Sequence, residues 1–260
     1  MRLINCLSIF FAFNLFADIQ IVPVPSEPQP ENVKIYIVFP EDGDVENESD
    51  PWIQLRLRGY PLGNMTETDR ANEIMNYNFG QSIHILIDNN EYFARTGPSI
   101  APFDEEGNYY ESMYKFTIPY NLSKGKHYIR VFPTRSFGES LKEEGCFASA
   151  YFYIKDKLNN QNMSLKGPYV TYNEPSSYLT YKENQPVLLD FYLSNCVLSS
   201  DGFKVKITID QTSRILTNWS PYYILGLTKG KHNLRLQLLD DKNEPVKGFF
   251  NDTARVITIR

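Results

Sequence analysis

Cysteine and histidine are scarce in this 260-residue chain, with three of each, and the scarcity sets its first limits. The histidines stand far apart, at 84, 127 and 232, and supply no zinc ligand set. No Gly-rich phosphate loop, His-Glu-x-x-His, Gly-x-Ser-x-Gly or Cys-x-x-Cys occurs, so no spacing commits the chain to a reaction. No catalytic residue, metal or cofactor is therefore expected. A basic cluster is lacking too: net charge is -5 with the signs interspersed, which argues against nucleic acid as a partner. The one extended, mostly apolar stretch, Cys6 to Phe16, is shorter than the ~20 residues a membrane-spanning helix needs. No transmembrane segment is expected in the mature chain.

Composition is otherwise that of a globular protein, with 18 Tyr and 17 Phe leaning toward strands. Arg2, the apolar stretch and the small Ala17 before Asp18 read together as a secretory leader over residues 1–17. The protein is expected to be exported: periplasmic, envelope-associated or secreted. Loss of the leader leaves Cys146 and Cys196. A disulfide between them would contribute about 2–4 kcal/mol; two separately buried thiols are the alternative. Residues 18–31 carry Pro23, Pro25, Pro28 and Pro30 and read as a polyproline-like tether, poorly ordered ahead of the first strand.

The most informative segment occurs twice. Leu122-Ser-Lys-Gly-Lys-His-Tyr-Ile-Arg-Val131 returns 105 positions later as Leu227-Thr-Lys-Gly-Lys-His-Asn-Leu-Arg-Leu236, identical at six of ten positions. Around it the strand patterns also repeat. Ile53, Leu55 and Leu57 alternate with polar residues as Leu189, Phe191 and Leu193 do, and Ile83, Ile85 and Ile87 before Asp88 match Val205, Ile207 and Ile209 before Asp210. The chain divides into a first unit, 32–156, a polar linker, 157–166, and a second unit, 167–260. The first unit holds insertions: a short helix is expected within Thr66–Asn78, and Thr96–Glu111 reads as a long exposed loop. Short antiparallel strands, about seven per unit, predict an all-β chain of two tandem antiparallel β-sandwich (immunoglobulin-like) domains from an internal duplication.

The pattern of Leu227, Gly230, His232, Leu234, Leu236 and the polar hairpin Asp240-Asp-Lys-Asn243 resembles bacterial immunoglobulin-like and fibronectin-type modules. At Ile53–Gly63, Phe132–Phe147 and Leu189–Asn195 the chain is also similar to exported proteins of chlamydia-related bacteria, which implies location and no activity.

The repeated His127 and His232 share strand parity with apolar residues, which favours rings at the core rim bonded to backbone over ligands or catalysts. The loop Phe132–Cys146 has no counterpart of similar composition in the second unit. Its Arg135, Glu139 and Lys142 form a candidate partner-binding set, since loops on rigid sandwiches commonly carry function; the alternative is a plug, Phe137 and Leu141, at a sandwich end or domain interface. Trp219, Tyr222 and Tyr223 form a candidate sugar platform, or pack between sheets. The function expected is noncatalytic binding of a protein or envelope partner, with a pair of carbohydrate-binding modules as the alternative.

Overall fold

The computed structural model of the protein describes residues 18–97, 111–159 and 163–260; the expected leader and most of the expected 96–111 loop lie outside them. The strands of the first half are β1 (Gln20–Pro23), β2 (Lys34–Phe39), β3 (Val45–Glu46), β4 (Trp52–Arg58), β5 (Ser82–Ile87), β6 (Phe93–Arg95), β7 (Glu111–Thr117), β8 (Gly125–Thr134) and β9 (Ala148–Ile154). The second half contributes β10 (Tyr169–Glu174), β11 (Thr180–Tyr181), β12 (Val187–Ser194), β13 (Lys204–Ile209), β14 (Thr212–Leu216), β15 (Tyr222–Leu225), β16 (Gly230–Leu239) and β17 (Asp252–Ile259). The helix expected within 66–78 is a single turn, α1 (Arg70–Glu73).

Four sheets result, in the orders β2-β4-β7, β3-β9-β8-β5-β6, β1-β15-β12-β10 and β11-β17-β16-β13-β14. One hydrophobic core, including Ile53, Leu55, Ile85, Val131 and Phe152, lies between the first two sheets. A second, including Leu189, Phe191, Ile207, Leu236 and Ile257, lies between the other two. Each half is thus a sandwich of the immunoglobulin type, and the strand orders correspond: a short strand pairs parallel with the last strand in both, β3 with β9 and β11 with β17.

Burial shows how the sandwiches meet. In β2, β7, β16 and β17 exposed residues alternate with buried or half-buried ones, as expected for a sheet with one solvated face. In β5, β10 and β12 every residue is buried, and in β8 nearly every one. These four strands have both faces covered because the outer face of the first five-stranded sheet packs on the outer face of β1-β15-β12-β10. The molecule is a stack of four β-layers. Leu86, Phe132 and Tyr192 form one apolar cluster in the seam, Tyr128, Tyr169 and Phe250 a second, and Ala71, Ile74, Phe137, Leu188 and Tyr223 a third.

The Pro-rich stretch differs most from its expectation. Gln20–Pro23 forms β1, pairs antiparallel with β15 and buries Ile21 in the core of the second sandwich. The chain then crosses the seam: Pro25 O accepts from Arg70, Pro28 O from Arg135 Nη2 at 2.7 Å, and Gln29 Oε1 from Lys142 N at 3.1 Å. Proline's missing N–H is no handicap here, since these residues serve as acceptors. The expected tether is a strap that closes an otherwise open edge of β15.

Ile21→Ala should therefore destabilise a sandwich whose other strands begin about 150 residues later, by about 2–5 kcal/mol in urea unfolding. A loss below about 1 kcal/mol would mean that the strap is peripheral.

Candidate functional site

The loop singled out by sequence sits in the seam. Phe137 and Leu141 are fully buried, as are Glu139 and Ser140, and Arg135 is 5% exposed. Lys142 Nζ reaches Asp190 Oδ1 on β12 at 2.5 Å. The other carboxylate oxygen of Asp190 accepts from Ser140 Oγ at 2.7 Å, Ser140 N at 3.1 Å and Asn173 Nδ2 at 2.7 Å. Asn173 Nδ2 also donates to Gly138 O at 2.7 Å, which turns its Oδ1 to His84 Nδ1, 2.7 Å away. His84 must then carry its proton on Nδ1. Burial lowers its pKa to about 4, so the ring is neutral.

Glu139 pairs with Arg70 and lies 3.9 Å from Arg135 Nε. Burial raises its pKa, against the opposing charges of Lys142 and Arg70. Gly138 has φ +86°, and a Cβ there would come within 2.7 Å of Glu174 Oε1, so only glycine fits this approach. Lys142 therefore joins the two sandwiches, while Glu139 and Arg135 tie the single-turn α1 and the Pro-rich strap to the loop. All three side chains are spent inside the molecule, and the expectation that they reach an outside partner is corrected. The plug reading accounts for Phe137 and Leu141.

A second part of the seam centres on Glu174, which is 1% exposed. It accepts phenol protons from Tyr92 at 2.6 Å, Tyr77 at 2.9 Å and Tyr181 at 3.3 Å. Two arginines span the remainder. Arg130 lies 3.5 Å above the Phe250 ring and donates to Thr171 Oγ1 at 2.8 Å, and burial lowers its pKa to about 9. Arg255 lies over Tyr172 and donates to the carbonyls of Tyr172, Asn173 and Pro175.

The other sequence candidates are enclosed. Trp219 donates from Nε1 to Phe191 O at 2.9 Å and meets Tyr192 edge-on at 5.0 Å. Tyr222 and Tyr223 are 4% and 7% exposed, so no sugar platform is displayed there. Cys146 and Cys196 are free thiols, so of the two readings the sequence left open the structure has the separate thiols and not the disulfide. Cys146 is buried, which pushes its thiol up to about 12; Cys196 is half-buried and pushed up to about 11.

His127 and His232 are placed alike. Asp88 and Asp210 adopt positive φ at the hairpin turns, and each carboxylate takes a ring Nδ1, at 2.6 and 2.7 Å. The same carboxylates accept the backbone N–H of Tyr128 and Asn233, while Nε2 bonds Ser123 O and Thr228 O. Burial lowers the pKa of His127, but the hydrogen bond and charge of Asp88 with the Ser123 carbonyl carry it above its ordinary value. The expected backbone bond is present; the aspartate partner was not foreseen.

The outer face of β2-β4-β7 remains open. Its register places Lys34, Arg58 and Glu111 in one row, Tyr36, Arg56 and Met113 in the next, and Gln54 beside Lys115. Arg56 lies 4.4 Å over the Tyr36 ring and Lys115 3.9 Å over Trp52, which stacks on Phe39 at 3.9 Å. Tyr36, Val38 and Met113 are 39%, 37% and 50% exposed. Four cations against one carboxylate make this face basic on a chain of net charge -5. In the second sandwich the corresponding positions, with Asp190 and Tyr192 where the first has Gln54 and Arg56, are covered by the first sandwich. No group of three or more metal-ligating side chains occurs among the described residues, and no helix there is long and apolar enough to cross a membrane.

No family model and no curated protein matches the chain. Among solved structures it is similar to the fibronectin(III)-like modules of Clostridium thermocellum CbhA, at 12% identity and TM-score 0.29 over 87% of this chain and 94% of that one. It is also similar to a Bacteroides ovatus mixed-linkage glucan utilization protein, SGBP-B, in complex with a heptasaccharide, at 11% identity and TM-score 0.20 over 87% of this chain and 47% of that one. The CBD12 of CALX1.2 is a third, at 11% identity and TM-score 0.21 over 87% and 100%. Likenesses this remote leave function to the chain's own geometry.

Lys142→Ala would leave Asp190 buried without its cation and should lower stability by about 3–5 kcal/mol; a loss below about 1 kcal/mol in urea unfolding would mark the pair as surface-like. The seam also sets a pH dependence. Burial lifts the Glu174 carboxyl to about 7, so the folded chain keeps a proton that the unfolded chain releases, and this group's contribution to stability falls as pH rises from about 4.5 to about 7. His84 acts oppositely, adding stability as pH rises from about 4 to about 6.5. Wild type should therefore lose stability relative to Glu174→Gln between pH ~5 and pH ~8. A difference constant across that range would show that Glu174 titrates normally.

Proposed function

We propose that the protein is an exported, noncatalytic binding protein, built of two sandwich modules from an internal duplication, that engages a protein or envelope partner through the open face of β2-β4-β7. Export rests on the leader pattern of residues 1–17, and duplication on the repeated motif and the matching strand orders.

The observation that carries the partner reading is the unequal burial of two corresponding faces. One is covered by the other sandwich; the other leaves Tyr36, Val38 and Met113 wet between cations. Tyr, Trp, Met and Arg are the residue types enriched at the centres of protein interfaces, and this face carries all four. Its charge calls for a partner with an acidic rim. The seam makes the two sandwiches one rigid body, so the face is presented without a hinge to order on binding.

Arg56→Glu with Lys115→Glu should weaken capture of the partner from envelope fractions by about tenfold or more, equivalent to about 1.4 kcal/mol. Neither side chain is in the seam, so the melting temperature should be nearly unchanged. Undiminished capture, or recovery of polysaccharide alone, would overturn the reading.

A further inference from the structure

Away from the open face, at the edge of the seam, lies a cavity of about 410 Å³ lined from both sandwiches. Phe79, Tyr92, Phe93 and Tyr120 come from the first and Tyr178 from the second, and Glu91 supplies a carboxylate. The walls are fixed. Tyr92 stacks on His84 at 3.6 Å and donates to Glu174 at 2.6 Å, and Phe93 meets Tyr120 edge-on at 6.2 Å. The mouth is wet and apolar: Tyr178 is 78% exposed and Phe79 42%.

Glu91 decides the chemistry. Its Oε2 already accepts from Ser176 Oγ and Ser177 N, both at 2.9 Å. Its Oε1 stands 3.8 Å from Arg255 Nε, near enough to balance the charge and too far for a hydrogen bond. A cationic ligand is therefore not called for, while an acceptor remains. A purely apolar side chain would cover the rings and leave that acceptor unused. A ligand matched to both has apolar C–H faces for the rings and hydroxyl donors at its edge. Aromatic walls with a few placed polar groups are the general form of a small-molecule site, and the volume suits a ligand of one or two sugar rings.

We propose that this seam cavity binds a neutral pyranose, its face against Phe79 and Tyr178 and an edge hydroxyl donating to Glu91. The site is separate from the open face and stands or falls independently of it.

Saturation-transfer NMR on the full chain tests the proposal, with neutral disaccharides of glucose, galactose and mannose as probes and tetramethylammonium and N-acetyltryptophanamide as comparisons. Transfer to the ring C–H protons of at least one disaccharide is expected. Affinity should fall about tenfold in Phe79→Ala with Tyr178→Ala, whose exposed positions leave folding intact, and should be unchanged in Arg56→Glu with Lys115→Glu. No transfer to any disaccharide, undiminished transfer in the Phe79/Tyr178 variant, or binding of only the ammonium or tryptophan probe would overturn it.

Discussion

Asp190 carries a carboxylate into a face that the first sandwich seals from water, and the architecture follows from the need to satisfy it. A charge in such a position is tolerable only with a cation and hydrogen bonds on its remaining lone pairs. Lys142, Ser140 and Asn173 provide them. Lys142 and Ser140 belong to the loop after β8 and Asn173 to β10, so the carboxylate is satisfied only when both sandwiches are in register. His84 extends the same chain of bonds to β5. A purely apolar seam would tolerate sliding; this one has discrete partners and a single alignment.

The strap fits the same logic. Arg70 pairs with Glu139 and Arg135 lies 3.9 Å from the same carboxylate, and the carbonyls of Pro25 and Pro28 accept N–H donors that these two arginines do not spend on it. A helix or strand would have spent those carbonyls on its own ladder. An extended Pro-rich segment leaves them free, which gives a physical reason for proline in a stretch that is packed and hydrogen-bonded.

Much of the strand content was legible because alternation reports a half-buried sheet, and Ile53-Leu55-Leu57 or Leu234-Leu236-Leu238 alternate cleanly. What alternation does not report is whether the polar face meets water or another sheet. Arg135, Glu139 and Lys142 look like solvated charges for that reason, and His84, on the parity opposite its isoleucines, looks exposed. A signal did exist: Leu86 in β5 and Leu188 in β12 are apolar on the outward parity, the pattern of a sheet covered on both faces. Asp88 and Asp210 were legible as turn residues, but their reach to the histidines depends on positive φ at the turn, which local composition does not fix. The seam cavity had no sequence signal, because Phe79, Tyr120 and Tyr178 converge only once the sandwiches are docked.

The correspondence between sandwiches gives their differences meaning. The face holding Asp190 and Tyr192 in the second sandwich holds Gln54 and Arg56 in the first. In the covered face the carboxylate is answered by Lys142 and the aromatic ring by Phe132 and Phe147, at 5.6 and 4.6 Å. In the open face the cations lie over their own sheet's rings, Arg56 on Tyr36 and Lys115 on Trp52. Such contacts shield part of each ring, and Arg56 in addition pairs with Glu111 of the same face, Nη1 to Oε1 at 3.5 Å, while a guanidinium or ammonium over a ring still has N–H donors to offer. The open face therefore meets its own charges and rings within one sheet, whereas the covered face could not remain exposed without stranding Asp190.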